Sequence, residues 1–392
     1  NEPKMFDTFS NTFNYCTYGM IFAFIYPNKK NLMKRLFLFL SILMFDLYCL
    51  ISFIGSVYSY IIRVDILNLT RHMAVGIIVG LYIFKSLYCI INTDEFDIIL
   101  NTISYDLLEA NELDDGAKKL CEIFVKKAKF GEFIWILSPM ALGSVFPLYA
   151  GGSMIYENIW KAYPHREMVH EMEMAFVKDT QYDSPTFEII FFLSLYCIIF
   201  MYPSFCGMDG SFCIVTVHLC FKLKFVGYLV RRAFEDANDR LELHTKLNRA
   251  ITYHQKALAF YNNVQDFYGP WLFAIFIVSC IGISFNVYQI YVLRQFHLRY
   301  ILFVITSVLH IYIPCVYASN VTQCNEVLAI ELYDAPWERR QDISATKSLV
   351  VMIANAQRPL IFSGCGLVDY NMQLFVTAMK TTYSFYTLMT ST

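Results

Sequence analysis

Charge is scarce along this chain. Only 16% of its 392 residues are Asp, Glu, Lys or Arg, and the formal net charge is −2. No basic tract alternates with aromatic residues, so both the electrostatic footprint and the stacking platform of a nucleic-acid binder are missing. None of the 12 cysteines forms a CxxC pair, and Cys206 and Cys213 are too far apart, in surroundings too apolar, for a zinc site. Cys49, Cys89, Cys197, Cys206, Cys213, Cys220, Cys280 and Cys315 lie in apolar runs, which reads as buried free thiols rather than a disulfide framework. No Ser, His and acid grouping and no metal cluster converges by spacing, so the sequence does not read as an enzyme and implies no cofactor and no metal. Met20 to Tyr26 is short and runs into Pro27, Lys29 and Lys30, so no cleavable signal peptide is expected.

Apolar residues are abundant instead: 57% of the chain is hydrophobic and 17% aromatic, well above an ordinary soluble domain. Runs of about twenty residues or more, enough to cross roughly 30 Å of hydrocarbon, occupy 36–62, 65–92, 130–151, 186–221, 267–293, 298–323 and 370–391. The spacing predicts an all-α membrane protein with seven transmembrane helices. Pro203, Gly207, Asp209 and Gly210 interrupt the fourth run, which predicts a kink or a helix continuing past the membrane. Lys and Arg crowd one set of connections, such as Lys118, Lys119, Lys126, Lys127 and Lys129, and are sparse in the other. By the positive-inside rule the N-terminus is cytoplasmic and the C-terminus extracellular.

That orientation is the reverse of a G-protein-coupled receptor, and neither an Asp-Arg-Tyr nor an Asn-Pro-x-x-Tyr element occurs in the spans. The outer connection 152–185 is acidic (Glu157, Glu167, Asp179, Asp183) and holds no cysteine. A transporter would predict paired broken helices, whereas only the break near Pro203 is seen. Asn68-Leu69-Thr70 is a glycosylation sequon near the outer surface. Intramembrane Asp46 and Lys85 need partners, because lone charges in hydrocarbon are costly.

In the last run, Gln373, Thr377, Lys380, Thr381, Ser384, Thr387 and Ser391 recur every three or four residues, one face of a helix. A membrane helix with a polar face either packs against polar partners or borders water. On the inner side, 93–129 and 222–261 have apolar residues at roughly helical spacing among charges, as amphipathic extensions of the spans. The stretch 331–366, with Trp337, Leu349, Met352 and Leu360, has a similar apolar face, broken by Pro359 and Gly364.

The stretch Lys380-Thr381-Thr382-Tyr383-Ser384-Phe385-Tyr386-Thr387-Leu388-Met389 resembles the closing signature of the insect odorant receptors. Tyr333 with Trp337, and Gln357-Arg358-Pro359-Leu360 followed by Gly364 and Gly366, fall where that family has its inner anchor helix. Gustatory receptors close on Gln-Phe where Met389 and Thr390 stand here, which favours the odorant branch. The modest 222–261 connection, shorter than that of the shared co-receptor, suggests a ligand-tuned subunit.

The resemblance implies four parts: a cytoplasmic N-terminus at 1–35, six spans with inner extensions at 36–330, an anchor helix at 331–369 and a pore-lining seventh helix at 370–392. It implies an odorant-gated, non-selective cation channel in the plasma membrane of an olfactory sensory neuron dendrite. Its partners are an odorant, membrane lipid, permeating cations and the olfactory co-receptor in a heterotetramer, a homotetramer being equally compatible with the anchor. A gustatory-type or G-protein-coupled chemoreceptor is the alternative. An odorant pocket is apolar and enclosed; the outer halves of the spans offer His72, Met73, Gly76, Ala141, Phe146, Phe191, Tyr196, Phe303, Thr306, Val308 and His310. The resemblance places Gln373, Thr377, Ser384, Thr387, Leu388 and Met389 along the pore, with Leu388 and Met389 near an outer gate. It places Tyr333, Trp337, Pro359 and Leu360 in the assembly region.

Overall fold

Each of the seven apolar runs lies on a helix of the computed structural model, which describes residues 5–27, 32–161, 165–170, 174, 177–293 and 298–391. The helices are α1 (Phe9–Thr12), α2 (Asn14–Phe22), α3 (Leu32–Arg63), α4 (Ile66–Ile91), α5 (Thr93–Ala110), α6 (Asp115–Trp160), α7 (Thr186–Ser204), α8 (Gly210–Asp236), α9 (Arg240–Leu293), α10 (Leu298–Tyr333), α11 (Ile343–Ala356) and α12 (Met372–Ser391). Among the described residues, five stretches are long and apolar enough to cross a membrane: Ile66–Ile91, Asp115–Trp160, Thr186–Asp236, Arg240–Leu293 and Leu298–Arg339. The expected first and seventh spans fall on α3 and α12; at 20 residues, α12 is about 30 Å long, the thickness of the hydrocarbon layer.

The long helices run well past their apolar windows, and their extensions build a dense base. α8 is buried on every side from Gly210 to Leu223, packed among α6, α9 and α10. One continuous cluster joins it to Phe96 and Ile103 of α5, Phe260 and Phe267 of α9, Leu328 of α10, Leu349 of α11 and Phe362. Phe6, Phe9, Phe13, Cys16 and Met20 belong to the same cluster, so the N-terminal segment is part of the core and more than a tail. The other half of the molecule holds three small separate clusters with space between them. A packed base and a looser half divide the bundle.

Prolines interrupt the hydrogen bonding of the long helices. Pro139 and Pro147 lie within α6, Pro270 within α9 and Pro314 within α10, each removing one backbone donor. Pro203 stands just before a five-residue π turn, Phe205–Asp209, that joins α7 to α8 without a break. The fourth apolar run therefore continues into α8 through a widened turn, the geometry in which helices accommodate an extra residue.

The expected anchor helix over 331–369 is shorter than its apolar pattern suggests. α10 continues to Tyr333, a 3₁₀ turn covers Trp337–Arg339, and the helix proper is α11. After it comes a small antiparallel hairpin, β1 (Ser363–Gly364) with β2 (Val368–Asp369). Gly364 is required here: a Cβ would stand 2.9 Å from the backbone nitrogen of Phe273 on α9. Gln265 fixes the same contact by exchanging two 2.9 Å hydrogen bonds with the Ser363 backbone.

Candidate ligand cavity and polar helix

A buried charged node ties the packed base to the looser half. Lys85 on α4 donates to both carboxylate oxygens of Asp209, at 2.8 and 2.6 Å, and neither side chain exposes any surface. Trp271 Nε1 of α9 donates to Asp209 Oδ1 at 2.8 Å, and His310 Nε2 of α10 stands 3.4 Å from Oδ2. The Lys85 ammonium also lies 3.9 Å over the Phe205 ring. The π turn ends on Asp209 with all five of its residues buried, so the irregularity after Pro203 is what brings the carboxylate to Lys85. An unpartnered charge at this depth would be strongly unfavourable; three helices supply the compensation.

His310 and Phe205 carry the node to the wall of a cavity. The His310 ring meets Trp135 edge-on at 5.4 Å and Phe205 at 5.5 Å, and all three line a space closed by Ala74, Ile78 and Leu81 of α4, Leu142 of α6, Ser279 and Gly282 of α9, and Phe303 and Thr306 of α10. Its volume is about 40 Å³. A second space of about 70 Å³ lies beside it, lined by Val75, Phe146, His170, Ile190 and Met201. Ile78, Tyr202 and Phe303 belong to both walls. Each chamber exceeds the roughly 10–15 Å³ one water requires, and side chains must move before either takes a larger molecule.

Of the residues expected to form a pocket, Phe303, Thr306 and His310 line the first chamber, and Phe146 and Phe303 the second. The other seven line neither. His72 is buried with Nδ1 2.8 Å from the Asn68 carbonyl and its ring against Tyr60. Gly76 packs under Phe53, whose ring a Cβ would meet at 2.1 Å. Phe191 lies tilted against Phe187 and edge-on to Phe192, and Tyr196 lies tilted against Phe200. Ala141 is exposed, and Met73 and Val308 are half-buried. Sequence reasoning missed Ser279, Trp135, Tyr202 and Phe205. It identified Lys85 as needing a partner without naming Asp209. The side chains of Asp46, Cys49 and Met389 lie outside the described residues, as do Lys29 and Lys30.

On α12, Leu374, Ala378 and Thr382 are buried against the bundle, while Gln373, Thr377, Lys380, Thr381, Ser384, Thr387 and Leu388 are exposed. Thr377, Thr381 and Ser384 donate to the carbonyls four residues earlier, at 2.9, 3.0 and 3.1 Å, and Thr387 donates to Ser384 at 2.8 Å. With their hydrogens turned into the helix, these hydroxyls present oxygen lone pairs outward. In the anchor region Tyr333 and Pro359 are exposed and Trp337 half-buried, whereas Leu360 is buried and its carbonyl accepts from Thr322. At the sequon, Asn68 Nδ2 donates to Asp65, and Thr70 is buried with its hydroxyl accepting from Gln289.

At the base, Asp342 caps α11 by accepting from Ser344 N and Ala345 N, at 2.9 and 3.1 Å, and pairs with Arg240 and His244 at 2.8 and 2.9 Å. The Ala345 N–H, opposed by burial and reinforced by His244, the Ser344 N–H and Arg240, holds its carboxyl down at about 2. Burial pushes the Asp106 carboxyl up, but His218 and Lys222, 2.8 and 2.6 Å away, leave it below the usual range. No group of three or more His, Cys, Asp or Glu fit to hold a metal occurs among the described residues.

These features define a multi-pass helical membrane protein with an enclosed apolar cavity and one exposed polar helix. The 7tm odorant receptor family model matches residues 65–383, and the chain belongs to that family. It is similar to odorant receptor 47a of Drosophila melanogaster, 24% identical over 192 residues that cover 47% of this chain and 49% of the relative. It is also similar to odorant receptor 85c of the same fly, 24% identical over 183 residues and 46% of each chain. The chain spans about half the length of these relatives in the matched region. The insect olfactory receptor OR5 from Machilis hrabei, solved in complex with eugenol, superposes with a TM-score of 0.74 at 15% identity, over 98% of this chain and 100% of that one. At that identity the fold is what is shared.

Proposed function

We propose that this chain is a ligand-tuned subunit of an odorant-gated, non-selective cation channel. Membership of the odorant receptor family supports the receptor role. The observation that carries the channel reading is α12, a membrane-length helix whose exposed face is a ladder of hydroxyl oxygens bonded back into their own helix. Outward lone pairs suit small cations and discriminate poorly among them.

In this reading the chamber lined by His310 takes the odorant, four subunits surround a pore lined by their α12 helices, and one or more are the co-receptor. Leu388 and Met389 form the outer constriction, with Gln373 at the inner mouth. The exposed groove of Trp337, Ile343, Val350 and Val351 beside Tyr333 is the assembly surface at the base. The excess of Lys and Arg on base-side connections supports a cytoplasmic base and an N-terminus inside, in a dendritic plasma membrane. Whole-cell recording with an odorant panel, with and without the co-receptor, tests the reading. Ligand-evoked current is expected, with Leu388→Ala and Met389→Ala raising the current that flows without ligand. No current under any pairing, in cells with verified surface protein, overturns it.

A further inference from the structure

Two polar atoms on the wall of the first chamber have no hydrogen-bond partner, Ser279 Oγ and His310 Nε2. Both residues are more than nine-tenths buried, at 2% and 7% exposure. They sit on adjoining helices, α9 and α10, in a chamber walled mainly by aliphatic and aromatic groups. A helical serine in such surroundings normally donates to the carbonyl four residues back, as Ser284 does to Cys280 at 2.8 Å; Ser279 does not. His310 Nε2 faces Asp209 Oδ2 at 3.4 Å, longer than the roughly 2.7–3.2 Å of a well-formed N–H···O bond, and that oxygen already accepts from Lys85 at 2.6 Å. Buried polar groups left unpaired are costly.

We propose that Ser279 and His310 together receive the oxygen of a neutral ligand, a carbonyl or hydroxyl group at one end of an apolar body. This rests on the odorant-receptor reading and names the ligand class for it. A carbonyl oxygen accepts from both side chains; a hydroxyl accepts from one and donates to the other. An ionised carboxylate or ammonium would be desolvated among these apolar walls, and the nearby charges, Lys85 and Asp209, already neutralise each other. A hydrocarbon of equal length fills the walls and leaves both polar atoms unpaired.

Octan-2-one, 1-octanol, octane and octanoate test this on the full chain, by competition with a fluorescent apolar probe on purified protein in detergent and by current in cells holding the co-receptor. The ketone and the alcohol are expected to compete at least about tenfold better than octane, and octanoate not at all. Ser279→Ala, which removes a single atom, and His310→Phe, which keeps a ring against Trp135 and Phe205, each erase about fivefold to tenfold of that advantage and leave octane unchanged. Equal competition by octane, equal losses for all ligands in Ser279→Ala, or no competition by any of the four overturns the assignment. Selective binding without current keeps the assignment and counts against the channel; current without selectivity does the reverse.

Discussion

Lys85 and Asp209 stand 124 residues apart in sequence and 2.6 Å apart in space, both without exposed side-chain surface. The pair welds α4 to the π turn, and Trp271 extends the weld to α9. Removing one partner leaves a lone charge in a medium that cannot solvate it, a destabilisation of roughly 3–5 kcal/mol. Lys85→Met and Asp209→Asn are each expected to lose most surface protein. The double variant should regain much of it, because the amide oxygen of the asparagine still accepts from Trp271 and no charge is left over. Surface labelling and thermal stability of the four proteins form a double-mutant cycle; additive losses would show that the two groups do not act as a pair.

Ile78, Tyr202 and Phe303 line both chambers. Shortening Phe303 should merge them, so the best agonist in a homologous ketone series is expected to lengthen stepwise from wild type to Phe303→Leu to Phe303→Ala. Dose–response curves for chains of increasing carbon number check this. Phe→Ala in a core costs roughly 3–5 kcal/mol of stability, so maximal currents should fall in the alanine variant. The position of the optimum should still move. An optimum that stays at one chain length in both variants would mean the ligand does not reach this wall.

Gly19 and Gly207 let the N-terminal helix lie against the π turn. A Cβ on Gly19 would come within 2.9 Å of the Gly207 nitrogen and the Pro203 carbonyl oxygen, and both are backbone atoms that cannot rotate aside. Gly19→Ala should therefore lift α2, at a cost of about 1–3 kcal/mol for overpacking. Cys16 reports the movement, since it is fully buried with its N–H bonded to Glu132 and its thiol to the Gly207 carbonyl. Maleimide labelling in detergent, located by mass spectrometry with exposed Cys365 as internal reference, should modify Cys16 in the variant and spare it in the parent. Equal protection in both would place the contact elsewhere.

The spans were legible because hydrocarbon thickness sets the length of an apolar run, and no packing detail is needed to see it. Rotation about each helix axis was harder to read. On α10 the residues Phe303, Thr306 and His310 repeat at helical spacing and face the chamber together, whereas α4 turns His72 and Gly76 toward α3 instead. A helix apolar around its whole girth carries little hydropathy signal for which face meets a cavity. The need for a partner to Lys85 follows from one residue, but its identity depends on the π turn, which adds a residue to the helical count just before Asp209. The N-terminal helices left a trace, since Phe6, Phe9, Phe13, Cys16 and Met20 recur every three or four residues. Asp7, Asn11 and Asn14 interrupt them in a run too short to read as a span. The hairpin after α11 had only Gly364 and Gly366 to announce it, and those read equally well as a helix stop.

Asp342 makes the base sensitive to acid in a defined window. Its carboxyl is held at about 2, below the ordinary value of about 3.9, so its stabilisation of α11 is complete above the ordinary value and is lost as the pH falls toward 2. Hydrogen exchange in the first turn of α11, corrected for intrinsic rates, should be steady from neutral pH down to about 5 and rise below about 4. Asp342→Asn retains an acceptor for the Ser344 and Ala345 N–H groups, since asparagine is among the best helix caps, but gives up the charge that faces Arg240 and His244. It should keep the protection at neutral pH and lose the acid-dependent step. Asp342→Ala should expose the first turn at every pH. If the asparagine variant titrates as the parent does, another group near α11 carries the acid response, and the cap is not its source.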